Sequence, residues 1–111
     1  MARRRILVVE SAPEIVAKLL RAGGHLAMSA ADQASAMALW KRAAGGFEIV
    51  IFDDRVMEPA TAVPEFLTSK PSVRLVVMAG KPADPQLESA NVIFLPKPVS
   101  PVKLNEAING A

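Results

Sequence analysis

Short apolar runs alternate with segments of helical periodicity, and this alternation constrains the fold of the chain more than any other feature. The runs are residues 6–9, 25–30, 47–52, 73–78 and 92–95. Short continuous runs rich in β-branched residues are typical of strands buried on both faces, as in parallel sheets. Strands that alternate with helices favour right-handed crossovers. The sequence therefore predicts an α/β three-layer sandwich around a five-stranded parallel sheet.

The sequence signals for the predicted helices differ in strength. Ser11 is a plausible N-cap for the first helix and Asp32 for the second. Residues 62–70 indicate a third helix, in which Pro64 is tolerable only near the start. Residues 86–90 leave room for little more than one turn between the last two strands. The fourth helix is therefore predicted to be shortened.

Composition limits the class of protein. The 111 residues suit a single domain over 1–111, and 51% hydrophobic content argues against disorder. Without cysteine there are no disulfides or thiolate sites, and one histidine cannot build a histidine metal cluster. A net charge of +2 argues against direct nucleic-acid binding. No apolar run is long enough for a membrane span, so we expect a cytoplasmic protein.

Charged side chains follow three of the predicted strands. Glu10 follows the first, Asp53 and Asp54 follow the third, and Lys97 follows the fifth. Carboxyl ends of parallel strands share one edge, where ligands of open α/β sheets bind. A carboxylate pair there can be neutralised by Lys97 or by Mg²⁺, and such an aspartate can accept a phosphoryl group. The alternative is a solvated group of charges at loop starts.

Three segments carry a family resemblance: residues 6–10, 48–53 and 94–98. In this order and separation they resemble the receiver domain of bacterial two-component response regulators, the CheY-like superfamily, over nearly the whole chain. The resemblance implies a flavodoxin-like sheet with strand order 2-1-3-4-5. It also implies a signalling domain rather than an enzyme, with at most self-phosphorylation and slow autodephosphorylation.

The resemblance implies roles for individual residues. Asp53 matches the phosphorylated aspartate, and Lys97 matches the lysine that contacts the phosphoryl group. The bond before Pro98 matches a cis peptide, a conformation found almost only before proline. Glu10, Asp53 and the backbone carbonyl of Arg55 match ligands of Mg²⁺.

The chain also departs from the family pattern. Ser11 replaces the second acidic residue after the first strand, which puts Mg²⁺ binding in doubt. Ala79 stands where a serine or threonine normally ends the fourth strand. Phe94 matches an aromatic residue whose rotamer changes on activation, but its partner hydroxyl at position 79 is missing. We therefore expect an atypical, partly degenerate receiver.

Asp54 is the alternative phosphoryl acceptor. Glu48 at the start of the strand and Arg55 after it favour Asp53, whereas aligning Met57 favours Asp54. Alternation along a strand points the two aspartates to opposite sides, so both cannot serve equally.

The sequence leaves three hypotheses for the function, and the first is a phosphorelay receiver. The receiver would take its phosphoryl group from a histidine kinase or phosphotransfer protein. It would signal to a downstream effector through the fourth helix, fifth strand and fifth helix. The second hypothesis is a pseudo-receiver, an interaction module or homodimer without a phosphorylation switch. The third, a small Mg²⁺-dependent phosphatase, lacks a convincing general acid. Whether the receiver stands alone or is part of a longer protein stays open.

Overall fold

The computed structural model describes residues 3–11 and 14–109 and contains one parallel sheet between two layers of helices. In chain order the elements are β1 Arg5–Val9, α1 Ile15–Ala22, β2 Leu26–Ala30, α2 Gln33–Ala43, β3 Ile49–Asp53, α3 Pro59–Ser69, β4 Arg74–Ala79, β5 Val92–Pro96 and α4 Pro101–Asn109. The strands are ordered β2-β1-β3-β4-β5, and all four neighbouring pairs are parallel. The predicted fold class and strand order are confirmed.

Each face of the sheet packs against its own pair of helices. The strand side chains alternate between two buried clusters, as expected for strands covered on both faces. One cluster joins the sheet to α2 and α3 and includes Trp40 and Phe66, whose rings meet edge to face at 4.8 Å. The other joins the sheet to α1 and α4 through Leu20, Leu104 and Ile108. This arrangement leaves the carboxyl ends of the strands free to form a site.

Helix α3 begins three residues earlier than the sequence predicts. Pro59 occupies its first turn, where a missing N–H is harmless, and the amide of Ala62 donates to the carbonyl of Glu58 at 2.9 Å. Pro64 consequently lies inside the helix rather than near its start. The prediction was wrong because burial of Ala62, Val63 and Phe66 outweighs the local preference against proline.

The segment between β4 and β5 contains no helix. Residues 80–91 form an irregular loop with turns at 85–87 and 90–91, and in the first turn the amide of Leu87 donates to the carbonyl of Asp84 at 3.0 Å. Leu87 still packs against the core on the side of α2 and α3. The predicted shortened fourth helix is thus reduced to a turn, and α4 is the helix that follows β5.

None of the helices among the described residues is long and apolar enough to cross a lipid bilayer.

The N-terminus of α2 has a pH-sensitive cap. Asp32 Oδ1 accepts a hydrogen bond from the Ser35 amide at 2.7 Å, and hydrogen bonding to Ser35 lowers the pKa of the Asp32 carboxyl. Because the folded-state pKa lies below the unfolded one, the cap stabilises the fold fully above about pH 3.9 and is lost as pH falls through the folded-state value. We expect Asp32→Ala to lower the thermal unfolding midpoint at neutral pH, with the difference vanishing in acid. Unfolding curves of both proteins across pH test this, and a difference unchanged in acid would contradict it.

Candidate functional site

Lys97 and Asp53 meet at the carboxyl edge of the sheet. Asp53 is the last residue of β3, and Lys97 directly follows β5, two strands away. The Lys97 ammonium Nζ lies 2.6 Å from Asp53 Oδ1, and the two side chains are 29% and 19% exposed. The Lys97 backbone amide donates to the Ala79 carbonyl at 3.0 Å, and the bond from Lys97 to Pro98 is cis. The structure therefore brings together the two charges that the sequence places at strand ends.

The carboxylate of Asp53 is held by the turn that follows it. The Arg55 amide donates to Oδ1 at 2.8 Å, and the Asp53 carbonyl accepts from the amides of Val56 and Met57. Both bonds to the carboxylate reach Oδ1. Within residues 3–11 and 14–109, Oδ2 has no hydrogen-bond donor, so this oxygen is chemically available.

Asp54 and Asp53 line different cavities at the edge of the sheet, although both contact Lys97. Its Oδ2 accepts from the backbone amides of Gly80 at 2.9 Å and Lys81 at 3.3 Å, and its Oδ1 lies 3.5 Å from Lys97 Nζ. Only 7% of the side chain is exposed. The separate cavities agree with the alternation that predicts opposite sides, and the Asp54 amide still donates to a carbonyl of β4 at 3.1 Å. No sequence signal identified the two loop amides as its partners.

Glu10 binds the first turn of α1. Its Oε1 and Oε2 accept from the amides of Val16 at 3.2 Å and Ala17 at 3.0 Å, and the residue is 8% exposed. A carboxylate at this position satisfies free amides and interacts favourably with the helix dipole. Ser11 is not the N-cap, which falls at Glu14 without a side-chain bond. Residue 13, which the sequence places in the first turn, lies outside the described residues.

This role of Glu10 makes its removal costly. We expect Glu10→Ala to lower the free energy of unfolding by about 2 kcal/mol, because one buried and one partly buried amide lose their acceptor. Glu10→Gln should cost less, since its carbonyl oxygen keeps one of the bonds. Urea unfolding of the three proteins tests the order, and equal stability of Glu10→Ala and the wild type would contradict it.

The acidic residues do not form a ready magnesium site. Glu10, Ser11, Asp53 and Lys97 line one cavity of about 270 Å³. Among the described residues, however, no three acidic or histidine side chains come together as metal ligands. Both oxygens of Glu10 are engaged by α1, and Lys97 already neutralises Asp53. The donor set as it stands does not fit Mg²⁺, which prefers several oxygens in a strict octahedron.

Ala79 and Phe94 border a small cavity beside the site. Ala79 ends β4 and is buried, while Phe94 on β5 is partly buried against the core. Both line a cavity of about 100 Å³ together with Asp54 and Lys81. A methyl group at position 79 offers no hydrogen bond, so the role of these two residues in a switch stays a prediction.

Comparisons with known proteins find similar chains among the solved structures. Neither the family models nor the curated proteins match the chain. Among solved structures, the receiver domain of the hybrid histidine kinase CckA is 29% identical, with a TM-score of 0.70 and 95% of each chain covered. A response regulator receiver protein from Sinorhizobium medicae is 20% identical, with a TM-score of 0.79, over 96% of this chain and 92% of that one.

A third similar structure contains a partner. It holds the histidine phosphotransfer protein Ypd1 of Saccharomyces cerevisiae and the receiver domain of its downstream response regulator Ssk1. The match is 18% identical, with a TM-score of 0.71, and covers 96% of this chain and 87% of the matched one.

Proposed function

We propose that this chain, a CheY-like receiver domain by its fold, is a two-component signalling receiver that accepts a phosphoryl group on Asp53. The observation that supports this most is the 2.6 Å contact between Lys97 Nζ and Asp53 Oδ1. A partly exposed carboxylate beside a fixed ammonium is suited to phosphoryl transfer, which depends on positioning and charge stabilisation.

The proposed reaction uses groups that the edge of the sheet already positions. Asp53 Oδ2 attacks the phosphorus of a phosphohistidine on a donor protein. A P–O bond forms and the P–N bond breaks, and the leaving imidazole keeps the electron pair and takes up a proton from water. Lys97 offsets the charge of the phosphoryl oxygens, while the Arg55 amide holds Oδ1. Later hydrolysis by water returns the carboxylate and inorganic phosphate. The proposed cycle therefore includes no enzymatic reaction on a separate substrate.

The donor we propose is a histidine kinase or a histidine phosphotransfer protein. The Saccharomyces complex supports this kind of partner, because there a phosphotransfer protein is bound to a receiver domain of the same fold. We further propose that residues 1–111 act as one receiver domain in the cytoplasm. Output to an effector would pass through β5, α4 and the loop 80–91, which stands where a helix was expected.

A pseudo-receiver is the second candidate, and two observations favour it. Glu10 is bound to α1 amides, and Asp54 already occupies the loop amides next to Lys97. In that case the domain would act through protein contacts or as a homodimer, without phosphorylation. Among the residues that the structure describes, no side chain at the site favours the phosphatase hypothesis.

Incubation with acetyl phosphate separates the two candidates. The receiver proposal expects the intact mass to rise by one phosphoryl group and the amide signals around Asp53 to shift in NMR spectra. The test is run with and without millimolar Mg²⁺. No mass gain under either condition would overturn the receiver proposal and leave the pseudo-receiver.

A further inference from the structure

The loop between β4 and β5 is tied to the sheet edge by a carboxylate from the neighbouring turn. Asp54 Oδ2 accepts from both the Gly80 and the Lys81 amides, the first two residues after β4. A Cβ placed on Gly80 would lie 3.8 Å from Asp54 Oδ1 and 3.9 Å from Lys97 Nζ. The loop backbone therefore passes directly beside the charged pair.

Two adjacent amides and an ammonium make an anion-binding site. Successive backbone N–H groups that converge on one point bind anions, and a lysine supplies a full positive charge. Here the site already holds an anion, because the Asp54 carboxylate is 7% exposed and touches all three donors. The ligand is part of the chain itself.

Lys97 is shared between two carboxylates. Its Nζ lies 2.6 Å from Asp53 Oδ1 and 3.5 Å from Asp54 Oδ1. One ammonium cannot fully neutralise both, and a further anion at this place would be repelled by Asp54. An oxyanion next to Asp53 must therefore compete with Asp54 for the same donors.

We propose that Asp54 is a built-in competitor that fills an oxyanion site made by Gly80, Lys81 and Lys97. A tetrahedral oxyanion such as phosphate binds these donors only when the Asp54 carboxylate leaves them. If Asp53 is phosphorylated, a consequence that rests on the proposed function, its phosphoryl oxygens displace Asp54 and release the start of the loop 80–91. The local charge, rather than a hydroxyl at position 79, then controls the loop.

Titration with inorganic phosphate, followed by the amide signals of Gly80 and Lys81, tests the proposal. We expect Asp54→Ala to bind phosphate about tenfold more tightly than the wild type, or better, because a negative charge within a few ångströms is removed. Glu58→Ala is the matched control: it removes a carboxylate lining the same small cavity, and the Glu58 side chain makes no capping hydrogen bond. This control should bind phosphate as weakly as the wild type.

Asp54→Asn is the second variant, for the case that Asp54→Ala does not fold. Asparagine keeps an acceptor oxygen and loses only the charge. It should also bind phosphate more tightly than the wild type. Equal phosphate affinity of wild type, Asp54→Asn and Glu58→Ala would overturn the proposal, as would tight binding by the wild type.

The titration is independent of Asp53 acting as an acceptor, because inorganic phosphate forms no covalent adduct here. Failure of acetyl phosphate to label the protein would count against the proposed function alone. Unchanged phosphate binding in the Asp54 variants would count only against the proposal that Asp54 competes for the oxyanion site.

Discussion

Asp53→Asn is expected to abolish the mass gain from acetyl phosphate or a phosphohistidine donor, whereas Asp54→Asn is expected to keep it. Only Asp53 combines a short contact to Lys97 with a carboxylate oxygen that has no donor among the described residues. Asp54 uses its second oxygen to hold the Gly80 and Lys81 amides. Intact-mass measurement of the two variants beside the wild type is sufficient.

The same pair of variants identifies the acceptor if this assignment is wrong. Loss of labelling in Asp54→Asn with labelling retained in Asp53→Asn would make Asp54 the acceptor. Thermal unfolding of both variants checks that the loss reflects chemistry and not misfolding.

Lys97→Met should have the second-largest effect, because methionine keeps much of the side-chain volume and removes the ammonium. We expect the rate of phosphorylation to fall by about 10²–10³-fold, the usual effect of removing one group that stabilises developing charge. Stability should also fall, since Asp53 and Asp54 then lose the cation that they share. Quenched time courses read by intact mass give the rate.

Lys103→Met is the matched control for this variant. Lys103 lies exposed on α4, and the same charge is removed away from the edge of the sheet. It should label at close to the wild-type rate. A Lys97→Met rate within a few-fold of the Lys103→Met rate would show that the ammonium does not assist the transfer.

Much of the scaffold follows from local patterns. The apolar runs that predict β1, β3, β4 and β5 all form strands, and Asp32 caps α2 as its position before the helix indicates. The boundaries depend more on the core: α3 begins at Pro59, which suits a first turn, and continues through Pro64 because residues on both sides of it are buried.

Only part of the candidate site at the carboxyl edge of the sheet could be predicted from the sequence. That Asp53 and Lys97 approach each other follows from the sequence, since parallel strands end at one edge and both residues end or follow strands. The partners of Glu10 and Asp54 do not follow from it. Each side chain leaves its strand end and binds amides that only folding brings near, those of α1 for Glu10 and of the loop 80–91 for Asp54.

The sequence by itself determined the α/β sandwich and the meeting of a central carboxylate with a lysine from the edge strand, because strand burial and parallel pairing are encoded in short runs. Only the tertiary structure decided which carboxylate oxygens the backbone amides occupy and which they leave open. That choice depends on turn geometry beyond β3 and on backbone donors distant in the chain, and neither leaves a pattern in residue types.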